Sequence, residues 1–251
     1  MISVIMGVHR IDEYFDQALT SILEQSLSEL ELIVIANGIH ANDIKKYIKN
    51  NYNDNRLIII TSQIGQLAHA LNLGIDASKY EFIARMDSDD IAHPDRLKLQ
   101  LEYLQKHNLD LVGTAVNLIN EKGEAIGDRQ LAKTKNINKY LPFKSTFVHP
   151  TVLFRKKTIL KVRGYNAGFN SEDYDLWLRM KRKGSSWANM EEKLLSYRIH
   201  NDASQGRLLG YAECAGYSVR EFLLHKNLKN FVAIFIQFAK ALIKPDKSKK
   251  D

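Results

Sequence analysis

A single cysteine, Cys214, in 251 residues rules out an intrachain disulfide and puts a cysteine-built zinc cluster out of reach. That usage fits a reducing compartment. No run of 18 or more apolar residues occurs, so no segment is long enough to span a bilayer as a helix. The opening MISVIMGVHR lacks a basic n-region and a small-residue cleavage site, and reads as a first strand rather than a signal peptide. Internal repeats and low-complexity linkers are absent too. Excess positive charge is scarce over most of the chain. Of the net +7, the stretch from His225 to Asp251 supplies seven lysines against two aspartates, or +5, which leaves +2 on the body. A basic tail, unlike a basic face spread over a whole fold, argues against a nucleic-acid partner and for an anionic surface or simple solubility.

What is present is ordinary for a folded domain: 45% hydrophobic and 26% charged residues. The length suits one α/β domain, expected at 1–224, with a C-terminal appendage at 225–251. The first hundred residues alternate. Apolar runs at 2–8, 30–36, 57–61 and 81–86 read as buried strands, and the helical periods at 14–27, 41–49, 66–77 and 94–107 read as amphipathic helices between them. That rhythm predicts βαβ units on a mostly parallel sheet flanked by helices, with ligands at the carboxyl ends of the strands. Further on, the pattern predicts a strand at 109–114, a hairpin across 116–126 and a strand at 151–154. A helix follows at 174–182, then short strands at Trp187 and at 194–199, and a long helix at 203–224. The polar stretch 131–144 is ambiguous, and the final KPDKSKKD is expected to be mobile.

Four stretches carry chemistry. The first is Ala84-Arg85-Met86-Asp87-Ser88-Asp89-Asp90, at the end of the fourth strand. Carboxylates packed this closely need a cation between them or stay exposed to water. Carboxylate-only ligation suits a hard ion such as Mg²⁺ or Mn²⁺. The plainer alternative is that Asp90 caps the helix starting at Pro94. The second is Ser171-Glu172-Asp173-Tyr174-Asp175, where acids at a helix start serve either as a general base or as partners of the helix dipole. The third, Tyr197-Arg198-Ile199-His200, places an arginine and a histidine on one strand face. There Arg198 could meet phosphate and His200 a metal. Arg85, His149 and Arg155 could each meet a diphosphate or simply be surface charges, and nothing local decides between the two.

Taken in order, DSDD with Pro-Asp-Arg, then HPTVLFRK, SEDYDLWLR and SYRIH, with ALNLGI before them, closely resemble the family 2 inverting glycosyltransferases of the GT-A fold, of the bacterial cell-surface polysaccharide type (lipopolysaccharide or capsule). The match runs from Ile2 to about His200. The resemblance implies a nucleotide-diphosphate sugar donor, most simply a UDP-sugar, and a glycan or lipid-linked oligosaccharide acceptor. It implies Mn²⁺ or Mg²⁺ held by Asp87, Asp89 and His200. Asp173 is the implied catalytic base, with Glu172 its neighbour. Val8, His9 and Asn37 fall where the nucleoside is held, with Asp87 near the ribose and metal and Arg85 near the diphosphate. The chain departs from the family where strand two ends in Ala36-Asn37-Gly38-Ile39 instead of a sequence such as Asp-Asp-Gly-Ser. The carboxylate that would accept the base imide N–H is missing, and Asn37 can accept through its amide oxygen.

Two rival readings are disfavoured by the residues themselves. A sugar-phosphate nucleotidyltransferase would need a Gly-rich, Lys/Arg-bearing loop after the first strand, where this chain has Gly7-Val8-His9-Arg10. A catalytically inactive sugar-nucleotide or glycan-binding subunit would have no reason to keep Asp87, Asp89, Asp173 and His200 together. In the tail, apolar residues at 228, 231, 232, 235, 238, 239 and 242 form one helical face flanked by lysines. That face is expected either to lie on the anionic inner leaflet of the plasma membrane, making a cytoplasmic protein peripherally bound, or to pack on the domain or in a dimer.

Overall fold

The computed structural model describes residues 1–166, 168, 170–200 and 208–243. In chain order the elements are β1 (Ile2–Val8), α1 (Phe15–Leu23), β2 (Leu30–Asn37), α2 (Ala41–Asn51), β3 (Leu57–Ser62), α3 (Leu67–Ala77), β4 (Phe82–Met86), β5 (Ile91–Ala92) and α4 (Arg96–Lys106). Then come β6 (Leu111–Ile119), β7 (Ala125–Arg129), α5 (Ile137–Tyr140), β8 (Leu153–Arg155), α6 (Lys156–Lys161), α7 (Glu172–Arg182), β9 (Trp187–Arg198), α8 (Leu208–Leu224) and α9 (Leu228–Ile243).

One sheet runs β3-β2-β1-β4-β8-β6-β9-β5, with β7 paired to β6. β1, β2, β3 and β4 are parallel, as the alternation predicts. At β4 the direction changes, because β8 joins it antiparallel. Both faces of the parallel half are covered, which is why its strands are apolar throughout rather than alternating. Ile2, Val4, Met6 and Val8 face the layer of α1, α2 and α4, while Ile5, Ile33 and Ile35 face α3. Sequence and structure differ in the second half. The hairpin begins earlier and ends later than 116–126, as β6 and β7. The strand placed at 151–154 starts instead at Leu153, after a 3₁₀ turn over His149–Thr151. The two short strands expected at Trp187 and 194–199 are one 12-residue strand, β9. Its register against β6 shifts near Ala115, so the charged Glu191-Glu192-Lys193 interrupts the apolar pattern without interrupting the strand. The ambiguous stretch folds as a 3₁₀ turn and the short α5. The expected helix at 203–224 is described from Leu208, and its start, like KPDKSKKD, lies outside the described residues. Among the described residues no helix is long and apolar enough to cross a membrane.

α3 lies unusually close to the sheet, and Gly74 permits it. A Cβ there would stand 2.8 Å from Ile35 Cδ1 and 2.9 Å from Ile5 Cγ2. Gly74→Val should therefore lower stability by about 1–3 kcal/mol through overpacking, read as an earlier urea midpoint. An unchanged midpoint would mean that α3 can lift off the sheet freely.

Candidate active site

The acidic turn owes its shape to the strands on either side of it. β4 ends at Met86, and β5 restarts at Ile91 by pairing with Ser196 of β9. The intervening Asp87, Asp89 and Asp90 are drawn into one cluster, each offering an oxygen within 4.8 Å of the others'. Asp90 is buried. Its Oδ1 accepts the Arg198 N–H at 2.9 Å, and its Oδ2 has no hydrogen-bond partner among the described residues. It does not cap a helix; α4 begins after Asp95. Burial, then the charges of Asp89 and Asp87, push the Asp90 carboxyl well above the usual carboxylate range. Asp89 Oδ2 lies 2.8 Å from His200 Nε2. Asp87 pairs with Arg85. Three clustered carboxylates, one with an orphaned buried oxygen, and an imidazole at their edge form a donor set that fits a hard divalent cation.

Arg198 is a correction. Counting along the strand suggests a phosphate contact, but its side chain is buried beneath the turn. Nε donates to Asp89 O (2.8 Å), Nη1 to Asn120 O (3.1 Å) and Glu121 O (3.0 Å), and Nη2 to Gln17 Oε1 (3.0 Å), while the guanidinium lies over the Tyr14 ring. With four of its five N–H donors engaged by these groups, it holds the acidic turn in place. Arg155 likewise turns away from the cleft, to Glu81 and to Leu109 O.

Across from the turn, a second wall is fastened by residues that sequence reading passes over. Arg96 is fully buried, and its Nη2 donates at 2.7 Å both to Arg85 O and to Pro150 O. One guanidinium thus ties the strand carrying the acids to the 3₁₀ turn carrying His149. Burial pulls it down to about 10, leaving it cationic at neutral pH. A signal existed: a cation in the first turn of a helix opposes the dipole and needs another reason to be there. His149 Nε2 meets Tyr165 Oη at 2.8 Å, and Tyr165 is clasped by Asn72, which donates to its O and accepts from its N–H, both at 2.8 Å. The ALNLGI stretch therefore matters through Asn72 and Gly74. Burial, then the Arg85 charge, holds His149 well below the ordinary range, so it is neutral.

The third wall is the start of α7. Glu172 is buried and Asp173 is partly exposed. Asp173 Oδ1 accepts the Tyr174 N–H at 2.6 Å. Burial raises both carboxyls; Glu172, which also feels the Asp173 charge, reaches about 7. α8 braces this turn: Glu213 takes the Ser171 hydroxyl, and Arg220 pairs with the buried Asp175, which also binds Arg179 at 2.7 Å. Glu213 and Arg220 lie in a helix whose pattern marks only packing, so nothing in the sequence singles them out. A cleft of about 420 Å³ joins Arg85, Asp87, His149, Glu172 and Asp173, with Lys240 of α9 at its rim. Arg85 lines it without a full set of partners: it is buried, and Nε and Nη1 have no hydrogen bond among the described residues.

Asp89, His200, Val8, His9 and Asn37 stand outside that cleft. Val8 and Asn37 end β1 and β2, and the register Met6↔Met86 brings Val8 level with the acidic turn. The Val8 side chain is buried, so it can meet a ligand only through its backbone, whereas His9 is exposed. Asn37 Nδ2 donates to Val8 O (3.0 Å) and Ile35 O (3.3 Å), which turns Oδ1 the other way. Beside it Gly38, at φ +83°, comes within 3.4 Å of Gly65 Cα when given a Cβ, so the loops after β2 and β3 touch there.

Comparison with known proteins adds a family, two relatives and a fold. The family model described as Glycosyl transferase family 2 matches residues 3–164. The chain is 51% identical over 247 residues to the O-antigen biosynthesis glycosyltransferase WbnJ of Escherichia coli, covering 97% of each. It is 29% identical over 213 residues to the UDP-Gal:alpha-D-GlcNAc-diphosphoundecaprenol beta-1,3-galactosyltransferase of Escherichia coli, covering 82% of this chain and 76% of that one. Among solved structures, S. aureus TarS 1-349 in complex with UDP-GlcNAc superposes with a TM-score of 0.70 at 15% identity, over 95% of this chain and 72% of that one. That likeness is one of fold, the GT-A arrangement expected from the motifs.

Proposed function

The chain belongs to glycosyl transferase family 2, and from that premise we propose that it moves a hexosyl or N-acetylhexosaminyl group from a UDP-sugar to a lipid-linked or glycan acceptor, with inversion, in O-antigen-type surface polysaccharide synthesis. The observation that carries this reading is the cleft in which Asp173, raised and partly exposed, faces Asp87 and the incompletely paired Arg85. A base and an anion-binding group then stand on opposite walls of one space. The names of the relatives support the finer parts: one carries UDP-Gal and a diphosphoundecaprenol acceptor, another O-antigen.

In this reading the nucleoside lies over the ends of β1 and β2, with Asn37 Oδ1 accepting the base imide N–H. Arg85 lends its positive charge to the diphosphate side of the site. The acceptor hydroxyl enters beside Asp173. Its oxygen attacks C1 of the sugar, its proton passes to the Asp173 carboxylate, and the C1–O bond breaks on the far face, its electron pair leaving with the nucleoside diphosphate. One displacement inverts the anomeric centre. Asp87, Asp89 and His200 would hold Mn²⁺ or Mg²⁺, with Asp90 behind them; when bound, such an ion neutralises charge developing on the leaving diphosphate. Arg198 and Arg96 keep the two walls in register. A lipid-linked acceptor made in the cytoplasm would bring the protein to the inner face of the plasma membrane.

The test is turnover across UDP-, GDP-, dTDP- and CMP-sugars with Mn²⁺ and a lipid-linked acceptor, with and without EDTA. Turnover of one UDP-sugar that EDTA abolishes is expected. Nucleotide binding without turnover of any donor would favour the inactive binding subunit instead.

A further inference from the structure

α9 is mounted with its apolar face outward. The residues at 228, 231, 232, 235, 238, 239 and 242 form the stripe that normally packs into a core. In the structure the opposite face packs. Ala233 and Gln237 are buried, Gln237 Nε2 donates to Tyr174 Oη (3.0 Å) and Pro142 O (3.3 Å), and Lys240 reaches Phe143 O. Phe235 is left 61% exposed and Leu242 84%. Phe222, Phe231 and Phe235 stack along this surface at 5.5 and 5.0 Å between centroids, and Leu223 and Leu224 of α8 extend it. A contiguous exposed patch of this kind marks an interaction site.

Beside it, where α7, α8 and the start of α9 meet, is a second cavity of about 290 Å³ lined by Lys181, Arg182, His225 and Lys229. Its carboxylate, Glu221, is engaged with Arg182 and Arg220. Lys229 donates to Asn138 O at 3.1 Å. Burial lowers both lysines, and then Lys229 lowers Lys181 while Lys139 lowers Lys229. Crowded cations next to exposed phenylalanines complement one kind of surface, an anionic headgroup layer over acyl chains.

We infer that the outer face of α9 docks on a bilayer containing anionic phospholipid, its aromatic and aliphatic side chains entering the headgroup boundary and a lipid phosphate seated against Lys181 and Lys229. This rests on the reading of a lipid-linked acceptor. The inner face of the same helix supplies Gln237 and Lys240 to the catalytic cleft. Docking would thus hold the cleft about one helix diameter, on the order of 10 Å, from the leaflet in which such an acceptor is anchored.

The test is flotation of the full chain with phosphatidylcholine vesicles, with and without phosphatidylglycerol, alongside its mass in solution. Binding is expected only with phosphatidylglycerol, undiminished by millimolar inorganic phosphate. Phe235→Ser with Leu242→Ser should abolish it, and Lys181→Ala with Lys229→Ala should weaken it about fivefold per lysine. Circular dichroism checks that the variants, changed at the surface or cavity rim, are folded. On a water-soluble acceptor analogue the variants should match wild type, and on lipid-linked acceptor in vesicles they should fall. A monomer that floats with neither vesicle, or flotation indifferent to Phe235 and Leu242, overturns the inference. So does displacement by inorganic phosphate, or a dimer that Phe235→Ser dissociates. Flotation without transferase activity on any acceptor would fault the catalytic reading and leave this one standing.

Discussion

Asp173→Asn is expected to slow sugar transfer by about 10²- to 10⁴-fold, the range attached to a positioned general base, while donor affinity stays near wild type. The substitution keeps the shape and can still accept the Tyr174 N–H that holds Asp173 at the start of α7. It removes only the ability to take a proton. Single-turnover transfer and nucleotide-sugar titration separate the two effects. The pH profile adds a second check. A base must be ionised to act, and burial raises this carboxyl. Activity should therefore fall as pH drops at values above the usual carboxylate range, with the acid limb set by the coupled Glu172–Asp173 pair rather than by one group. A loss under tenfold in Asp173→Asn, with that acid limb unmoved, would shift the role to Glu172.

Asp89→Ala should be comparably severe for a different reason. It deletes one of three clustered carboxylates and strips His200 of the oxygen 2.8 Å from its Nε2. Loss of a residue that merely orients a metal ligand costs about 10- to 100-fold in affinity, so losing a ligand should reach at least the upper end. Titrating Mn²⁺ and following free ion by its paramagnetic resonance reads this directly, without relying on turnover. Wild-type Mn²⁺ affinity in Asp89→Ala would remove the aspartates as the metal site and return the cluster to a solvated turn.

How much of this is legible in the sequence follows from what each signal encodes. The βα alternation is readable because strands buried on both faces are apolar throughout, and Asp87 and Asp89 are readable because a strand end is where such sheets gather ligands. The acids at 172 and 173 are visible, but not which is accessible. Strand periodicity tells which side a residue faces and says nothing of what stands opposite; this is why Arg198 reads as a ligand contact when Asp89 O, Asn120 O and Glu121 O surround it. The stripe on α9 is plain in the sequence, and only the fold could show that a glutamine and a lysine, not the stripe, face inward.

The shared guanidinium of Arg96 has a consequence for engineering. The sheet changes direction at β4, so the part that would read the nucleotide and the part that would carry the base and receive the acceptor are nearly separate stretches of chain, joined across a seam. Exchanging the second stretch for that of a relative is a route to new acceptors with the donor kept. The graft must still offer backbone carbonyls where Pro150 and Thr151 present theirs to Arg96 and Gln100, because a buried cation stripped of its acceptors is destabilising enough to outweigh a better fit to the new acceptor. The seam is open to shuffling only where the graft restores those carbonyls together with the β4–β8 and β5–β9 pairing.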